Sequence, residues 1–147
     1  GMSSSTRNSA WANSGIVTEI RIEDLSHLTS HGTFAGLRFQ ESFETNAYKN
    51  SGKGLTAPAQ RLTDFLSGKT SSYLPVSSYN PGLHSSPLHE WMPSFIIKSL
   101  KEGFKKFDLR MKGFISQEAL LVGVESRTSS PIRIPRDKET LEHIQIS

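Results

Sequence analysis

The longest helical pattern in the chain reads PSFIIKSLKEGFKKFDLRMK, from Pro93 to Lys112. Its apolar side chains fall within one arc of a helical wheel, and its lysines fall mostly on the opposite side. The apolar set is Ile96, Ile97, Leu100, Phe104, Phe107 and Met111. A helix with this pattern buries one face against a core and leaves the other in water. We therefore predict a helix over Pro93–Lys112 that supplies one side of the core.

Two more helices are predicted upstream. One runs from about Thr33 to Asn50, where three apolar side chains recur at a spacing of four residues. The other runs from Pro58 to Ser67, because proline suits the first helical position and Gly68 is placed to cap the end.

Strand patterns lie towards both ends of the chain. Alternating apolar and polar residues predict a strand at Ile16–Ile22. The apolar run Leu120–Val124 predicts a buried strand, and the residues around Ile132 predict an edge strand because prolines flank them. The predicted fold class is therefore α+β, with about three main helices and a small, mostly antiparallel sheet.

The predicted organisation is one domain with a short lead-in. Residues 1–14 are rich in serine and asparagine and predict an irregular segment, whereas residues 15–147 form a single α+β domain. Residues 69–87 contain three prolines and show no periodicity. This stretch predicts either a long ordered loop or a hinge between two subdomains.

Composition excludes several classes of function. The chain has no cysteine, which rules out disulfides, thiolate metal sites and thiol nucleophiles. No apolar run approaches the roughly 18 residues that span a bilayer, so we expect a cytoplasmic protein without a membrane partner. A net charge of +3, spread along 147 residues, does not require a nucleic-acid partner. The five histidines lack the spacing of metal ligands, and no metal site is predicted.

The most unusual stretch is GVESRTSSPIRIPRD, from Gly123 to Asp137. It follows an apolar strand and carries Arg127, Arg133 and Arg136 among several hydroxyl groups. Arginines grouped in this way are typical of loops that bind an anion or a partner. An ordinary loop held by salt bridges is the alternative, and composition alone leaves both open.

This stretch also carries a family resemblance. The run VGVESRTSSPIRIPRDKETL, Val122–Leu141, resembles the late region of a family of uncharacterised bacterial FAD-dependent dehydrogenase-like proteins. Shorter stretches are similar to the same family, so that the resemblance spans essentially the whole chain. They are GMS at 1–3, ANSGIV at 12–17, APAQR at 57–61, YNPGL at 79–83 and EGF at 102–104.

The resemblance implies an insert or cap domain excised from a two-part FAD-binding fold. Family members carry an N-terminal Gly-x-Gly-x-x-Gly turn that seats the FAD pyrophosphate, and they continue past the position of Ser147 into a glycine-rich segment. This chain has neither segment. The resemblance therefore implies that FAD is bound in the parent protein, with none expected on this fragment, which would be inactive alone. The implied partners are the FAD-binding domain of its own parent chain and an unknown small-molecule substrate.

The resemblance also implies two groups of site residues. The first group would approach the flavin from the cap side and contains Gly123, Val124, Glu125, Ser126, Arg127, Thr128 and Ser129. The second group would bind the substrate and contains Arg7, Asn13, Ser14 and Arg127. Hydride or electron transfer would belong to the flavin, so no catalytic side chain is assigned.

A stand-alone interaction module is the alternative function. Such a module would bind an acidic partner through the basic face of the long helix and the loop from Arg127 to Arg136. A module should be stable and competent to bind by itself, whereas an excised cap should expose an apolar docking patch.

Overall fold

The computed structural model describes residues 6, 8–52, 54–126 and 134–143. Within those ranges a 3₁₀ helix at Ile22–Phe34 is followed by four α-helices and three short strands. They are α1 (Ala35–Lys49), β1 (Ala57–Arg61), α2 (Leu62–Ser67), β2 (Leu83–Ser85), α3 (Leu88–Trp91), α4 (Ser94–Arg110) and β3 (Leu120–Val122). The predicted α+β fold class is confirmed.

The sheet is small and mixed, with β1 in the middle. Its strand order is β2-β1-β3, in which β1 runs parallel to β2 and antiparallel to β3. Ala59 lies opposite Ser85 on one side and Val122 on the other. The predicted strand at Leu120–Val124 is confirmed over its first three residues.

The first half of the predicted Pro58–Ser67 helix is wrong. Residues 57–61 form β1, and the helix begins only at Leu62. A proline disfavours helical backbone in the residue before it, and hydrogen bonds to strands on both sides then hold the segment extended. The predicted end is confirmed, since Gly68 caps α2 with a left-handed φ of 67°.

The predicted strand at Ile16–Ile22 is also wrong. Residues 16–21 pair with no strand, and the 3₁₀ helix begins at Ile22. Ile16 packs against the core, but Val17 and Ile22 are 65% and 85% exposed. The alternation therefore reflects one packed side chain and not a paired backbone. Of the predicted edge strand near Ile132, residues 131–133 lie outside the described ranges, and Ile134 belongs to no strand.

The core lies between α4 and the α2–α3 side of the sheet. Its buried side chains are Leu62, Phe65, Leu88 and Phe104. The predicted Pro93–Lys112 helix is confirmed as α4, although Met111 is 52% exposed because the helix ends at Arg110. None of the helices in the described ranges is long and apolar enough to cross a membrane.

Candidate functional site

The segment after β3 is fixed to the body of the domain at Gly123. The Gly123 amide donates to the Pro58 carbonyl of β1 at 2.9 Å. A β-carbon on Gly123 would lie 3.6 Å from Leu88 Cδ2, which is ordinary van der Waals contact. The close backbone approach at Gly123 is therefore made to Pro58 and Leu88 of the same chain, and its predicted role towards a flavin stays a prediction.

Glu125 of the first predicted group lies close to the segment that carries Asn13 and Ser14 of the second group. A β-carbon on Gly15 would lie 3.8 Å from the Glu125 carboxylate. Asn13 and Ser14, both exposed, directly precede this contact. Trp11 donates from its indole nitrogen to the Val76 carbonyl at 3.0 Å, so the segment is anchored on the other side as well.

Ser126 completes this surface by binding α1. Its hydroxyl donates to the Glu44 carboxylate, which also accepts from the Gln40 amide at 2.7 Å. The segments 13–15 and 123–126 therefore approach each other at Gly15 and Glu125, although these two residues are 110 positions apart in the chain. We call the surface formed by these two segments the junction face.

A shallow cavity of about 230 Å³ opens next to the junction face. Gly123 and Val124 form one wall, and α1 contributes Glu44 and Tyr48 to another. Tyr48 and the neighbouring Leu55 are 67% and 80% exposed, so the cavity is open and its rim carries apolar side chains among polar ones. Sequence reasoning missed the α1 residues, because nothing in the helical pattern distinguishes Glu44 and Tyr48 from other exposed positions.

The cavity is too small for a whole FAD. Complete ligand pockets typically measure about 300–1,000 Å³, which exceeds the space found here. A pyrophosphate cradle also requires a glycine-rich turn between a strand and a helix. In the described ranges β1 passes directly into α2 at Arg61 and Leu62, with no glycine at the turn. The described residues therefore do not form a site for a whole FAD.

A buried ion pair lies at the β1–α2 turn. The Arg61 guanidinium binds both carboxylate oxygens of Asp64, at 2.7 and 3.1 Å, and the two side chains are only 14% and 11% exposed. The Ser71 hydroxyl donates to the same carboxylate at 2.7 Å, and the Tyr73 ring lies under the guanidinium at 4.4 Å. The contact therefore fixes the turn and the start of the long loop.

The electrostatics of this pair favour its charged form. The hydrogen bond from Arg61 holds the pKa of the Asp64 carboxyl below its ordinary value, burial opposes this shift, and the Ser71 hydroxyl adds to the lowering. Sequence reasoning placed both residues in one helix and missed the pair. The three-residue spacing of the charges was the available signal.

The neighbouring polar side chains are also structural. Gln60 is fully buried, and its amide nitrogen lies 2.8 Å from the Lys69 carbonyl oxygen and 2.8 Å from His89 Nδ1. The amide holds the ends of α2 and α3 together.

Among the described residues no group of three potential metal ligands is found. Of the predicted site residues, Arg7, Arg127, Thr128 and Ser129 lie outside the described ranges.

Comparison of the chain with known protein families gave a match over residues 1–128. The matched family is described as FAD-dependent protein, C-terminal domain-like. The chain belongs to this family. The match includes the junction face and every predicted flavin-contact residue except Ser129. The domain is thus one associated with FAD-dependent proteins, and the interaction-module alternative gains no support.

A protein from Clostridium beijerinckii is similar in sequence to this chain. It carries the name uncharacterized protein and is 34% identical over 148 residues, which is 99% of this chain and 27% of the relative's length. The chain therefore spans about a quarter of that relative, and about three quarters of the relative lies outside the domain described above.

Proposed function

We propose that this domain is the cap of an FAD-dependent oxidoreductase of the dehydrogenase type. In this proposal it covers the flavin and shapes the pocket for a small-molecule substrate, and it has no redox activity by itself. The observation that carries the proposal is the junction face. Residues that the resemblance assigns to the flavin and to the substrate lie on two segments that approach each other at Gly15 and Glu125, so in this proposal one surface meets both ligands.

The open cavity beside the junction face supports the same role. Val124 and Tyr48 present apolar surface at its wall, and covering this surface with a flavin edge would exclude water from the ring. When bound, the flavin would supply the hydride or electron transfer. The Ser126 hydroxyl and the Glu44 carboxylate hold each other in place, so that the backbone at 123–126 meets the cofactor in a fixed conformation.

Arg127 follows this fixed segment directly, and in the proposal its guanidinium holds an anionic substrate or the electron-rich edge of the flavin. We expect Arg127→Ala in the parent protein to raise the dissociation constant for FAD about tenfold, because hydrogen bonds to charged groups are among the strong ones. Quenching of flavin fluorescence on titration measures this constant. Arg127→Lys keeps the charge but loses the planar fork, and should give a smaller rise.

Arg38→Ala is the matched control for the loss of one cation. Arg38 forms an exposed pair with Glu41 on α1, with side chains 54% and 50% exposed, and the variant should bind FAD as the unchanged protein does. If Arg127→Ala binds FAD with unchanged affinity and the midpoint potential of the flavin is also unchanged, Arg127 does not contact the cofactor.

A further inference from the structure

A second cavity lies on another part of α1, between this helix and the 3₁₀ helix. Phe39, Ser42, Phe43 and Asn46 occur at the spacing of one helical face, and all four line this space. A face packed against a neighbouring helix normally carries apolar side chains at each of these positions. Here two of the four are a small hydroxyl and an amide, which leave the space between the helices unfilled.

The size of this cavity suits one aromatic ring. It measures about 210 Å³, is partly open to solvent, and is also lined by Leu28 and Pro93. An apolar cavity of about 150 Å³ is enough to bind benzene. The remaining volume accommodates a substituent of a few heavy atoms and not a second ring with its own substituents.

Its walls are aromatic. Phe39 and Phe43 are stacked, with ring centroids 6.0 Å apart and an interplanar angle of 22°. Phe95 and Trp91 extend this row on the two sides, at 6.0 and 6.1 Å. The three phenylalanines are half-buried and lie outside the core cluster. Half-buried aromatic rings around a cavity can stack with a further ring.

The polar groups at this cavity are accessible from solvent, since His27 and Ser42 are exposed and Asn46 is half-buried. Within the described part of the chain, the side chains of His27, Ser42 and Asn46 make no hydrogen bond. The Asn46 amide offers both donors and an acceptor, and the Ser42 hydroxyl offers one of each. No carboxylate, lysine or arginine lines the cavity, so the groups present favour a neutral substituent.

We propose that the α1–3₁₀ cavity binds a single aromatic ring that carries a neutral hydrogen-bonding substituent, such as a carboxamide or a hydroxyl. The ring stacks against Phe39 and Phe43, and the substituent exchanges hydrogen bonds with Asn46 and Ser42. This inference goes beyond the cap function and does not depend on it, because none of the lining residues belongs to the junction face.

Titration of the 147-residue chain with benzamide, followed by NMR chemical shifts, tests the proposal. We expect a dissociation constant of about 1 mM, typical of a ligand of this size. Asn46→Leu should abolish the binding, because the added side chain fills the cavity and removes the amide. Thr45→Leu places the same side chain on an exposed position of α1 and should leave binding unchanged. Cyclohexanecarboxamide, which has the substituent without the aromatic ring, should bind at least fivefold more weakly.

Three results would overturn the proposal. The first is no benzamide binding up to about 10 mM, tenfold above the expected dissociation constant. The second is benzamide binding to the Asn46→Leu chain that equals binding to the unchanged chain. The third is an affinity for cyclohexanecarboxamide equal to that for benzamide. A thermal melt of each variant shows whether it is folded. If Asn46→Leu does not fold, Asn46→Ala replaces it, with an expected loss of about tenfold for benzamide and little change for toluene.

Discussion

Replacing Phe65 by alanine is expected to lower the free energy of unfolding by about 4 kcal/mol. Phe65 is 0% exposed and meets Phe104 edge-on, with ring centroids 6.3 Å apart. Truncation removes apolar burial and leaves a cavity at the point where α2 meets α4. Since domains of this size are stable by about 5–15 kcal/mol, the variant should retain little margin. Urea unfolding followed by circular dichroism measures the change.

Leu109→Ala is the control for this truncation. Leu109 lies on α4, the helix against which Phe65 packs, but it is 82% exposed. Its truncation should therefore change the free energy of unfolding by less than about 0.5 kcal/mol. A Phe65→Ala chain as stable as the Leu109→Ala chain would show that the core does not lie where α2 and α4 meet.

The second large effect is expected at the buried ion pair. Asp64→Asn leaves the Arg61 guanidinium, whose side chain is 14% exposed, without its counter-charge. Removing one partner of a buried ion pair lowers the free energy of unfolding far more than removing one partner of an exposed ion pair. We therefore expect the melting temperature to fall by about 10 °C. A thermal melt at neutral pH measures this fall.

The effect should depend on pH in a defined direction. The pKa of Asp64 is lowered in the folded chain from its ordinary value of 3.8. A lowered pKa means that the pair stabilises the fold at pH values above about 4, and that this stabilisation is lost as the pH falls through the folded value. The difference in melting temperature between Asp64→Asn and the unchanged chain should therefore be full at pH 7 and shrink below pH 4.

Glu41→Gln is a closely matched control for Asp64→Asn. Arg38 and Glu41 have the same three-residue spacing and the same 2.7 Å contact as Arg61 and Asp64, but their side chains are about half exposed. An exposed ion pair contributes little to the free energy of unfolding, so the melting temperature of Glu41→Gln should be nearly unchanged. Equal falls in the two variants would contradict the burial of the Arg61–Asp64 pair.

Local sequence patterns predicted the parts of the fold that local contacts determine. The Pro93–Lys112 periodicity predicted α4 because five apolar side chains of the helix share one face. Gly68 ends α2 because glycine adopts the φ of 67° found there without strain. The apolar run that begins at Leu120 predicted β3, because several consecutive apolar residues are typical of a buried strand. These features depend on residues within a few positions of each other.

The central strand could not be predicted in the same way. Ala57, Ala59 and Gln60 are good helix formers, and they are extended because β2 and β3 bind them from both sides. Those partners lie about 25 and 60 residues further along the chain. A pairing over such distances leaves no local signal, and tertiary contacts override the propensity of the segment.

The roles of the candidate site residues stay predictions. The resemblance selected residues 13–14 and 123–129, and in the structure the neighbouring Gly15 lies close to Glu125. The resemblance did not point to Glu44 or Tyr48. The contact between Glu44 and Ser126 depends on how α1 packs against the segment after β3. Arg7 and Arg127–Ser129 lie outside the described ranges, and their roles stay predictions.

The central claim is that this domain covers a flavin held mainly by other parts of its parent protein. The most direct test is a titration with FAD, followed by flavin absorbance and fluorescence, of the 147-residue chain and of the same chain extended by the flanking segments of the parent. We predict that the short chain leaves FAD free and that the extended protein is yellow and reducible. An extended protein that folds but binds no flavin would contradict the account.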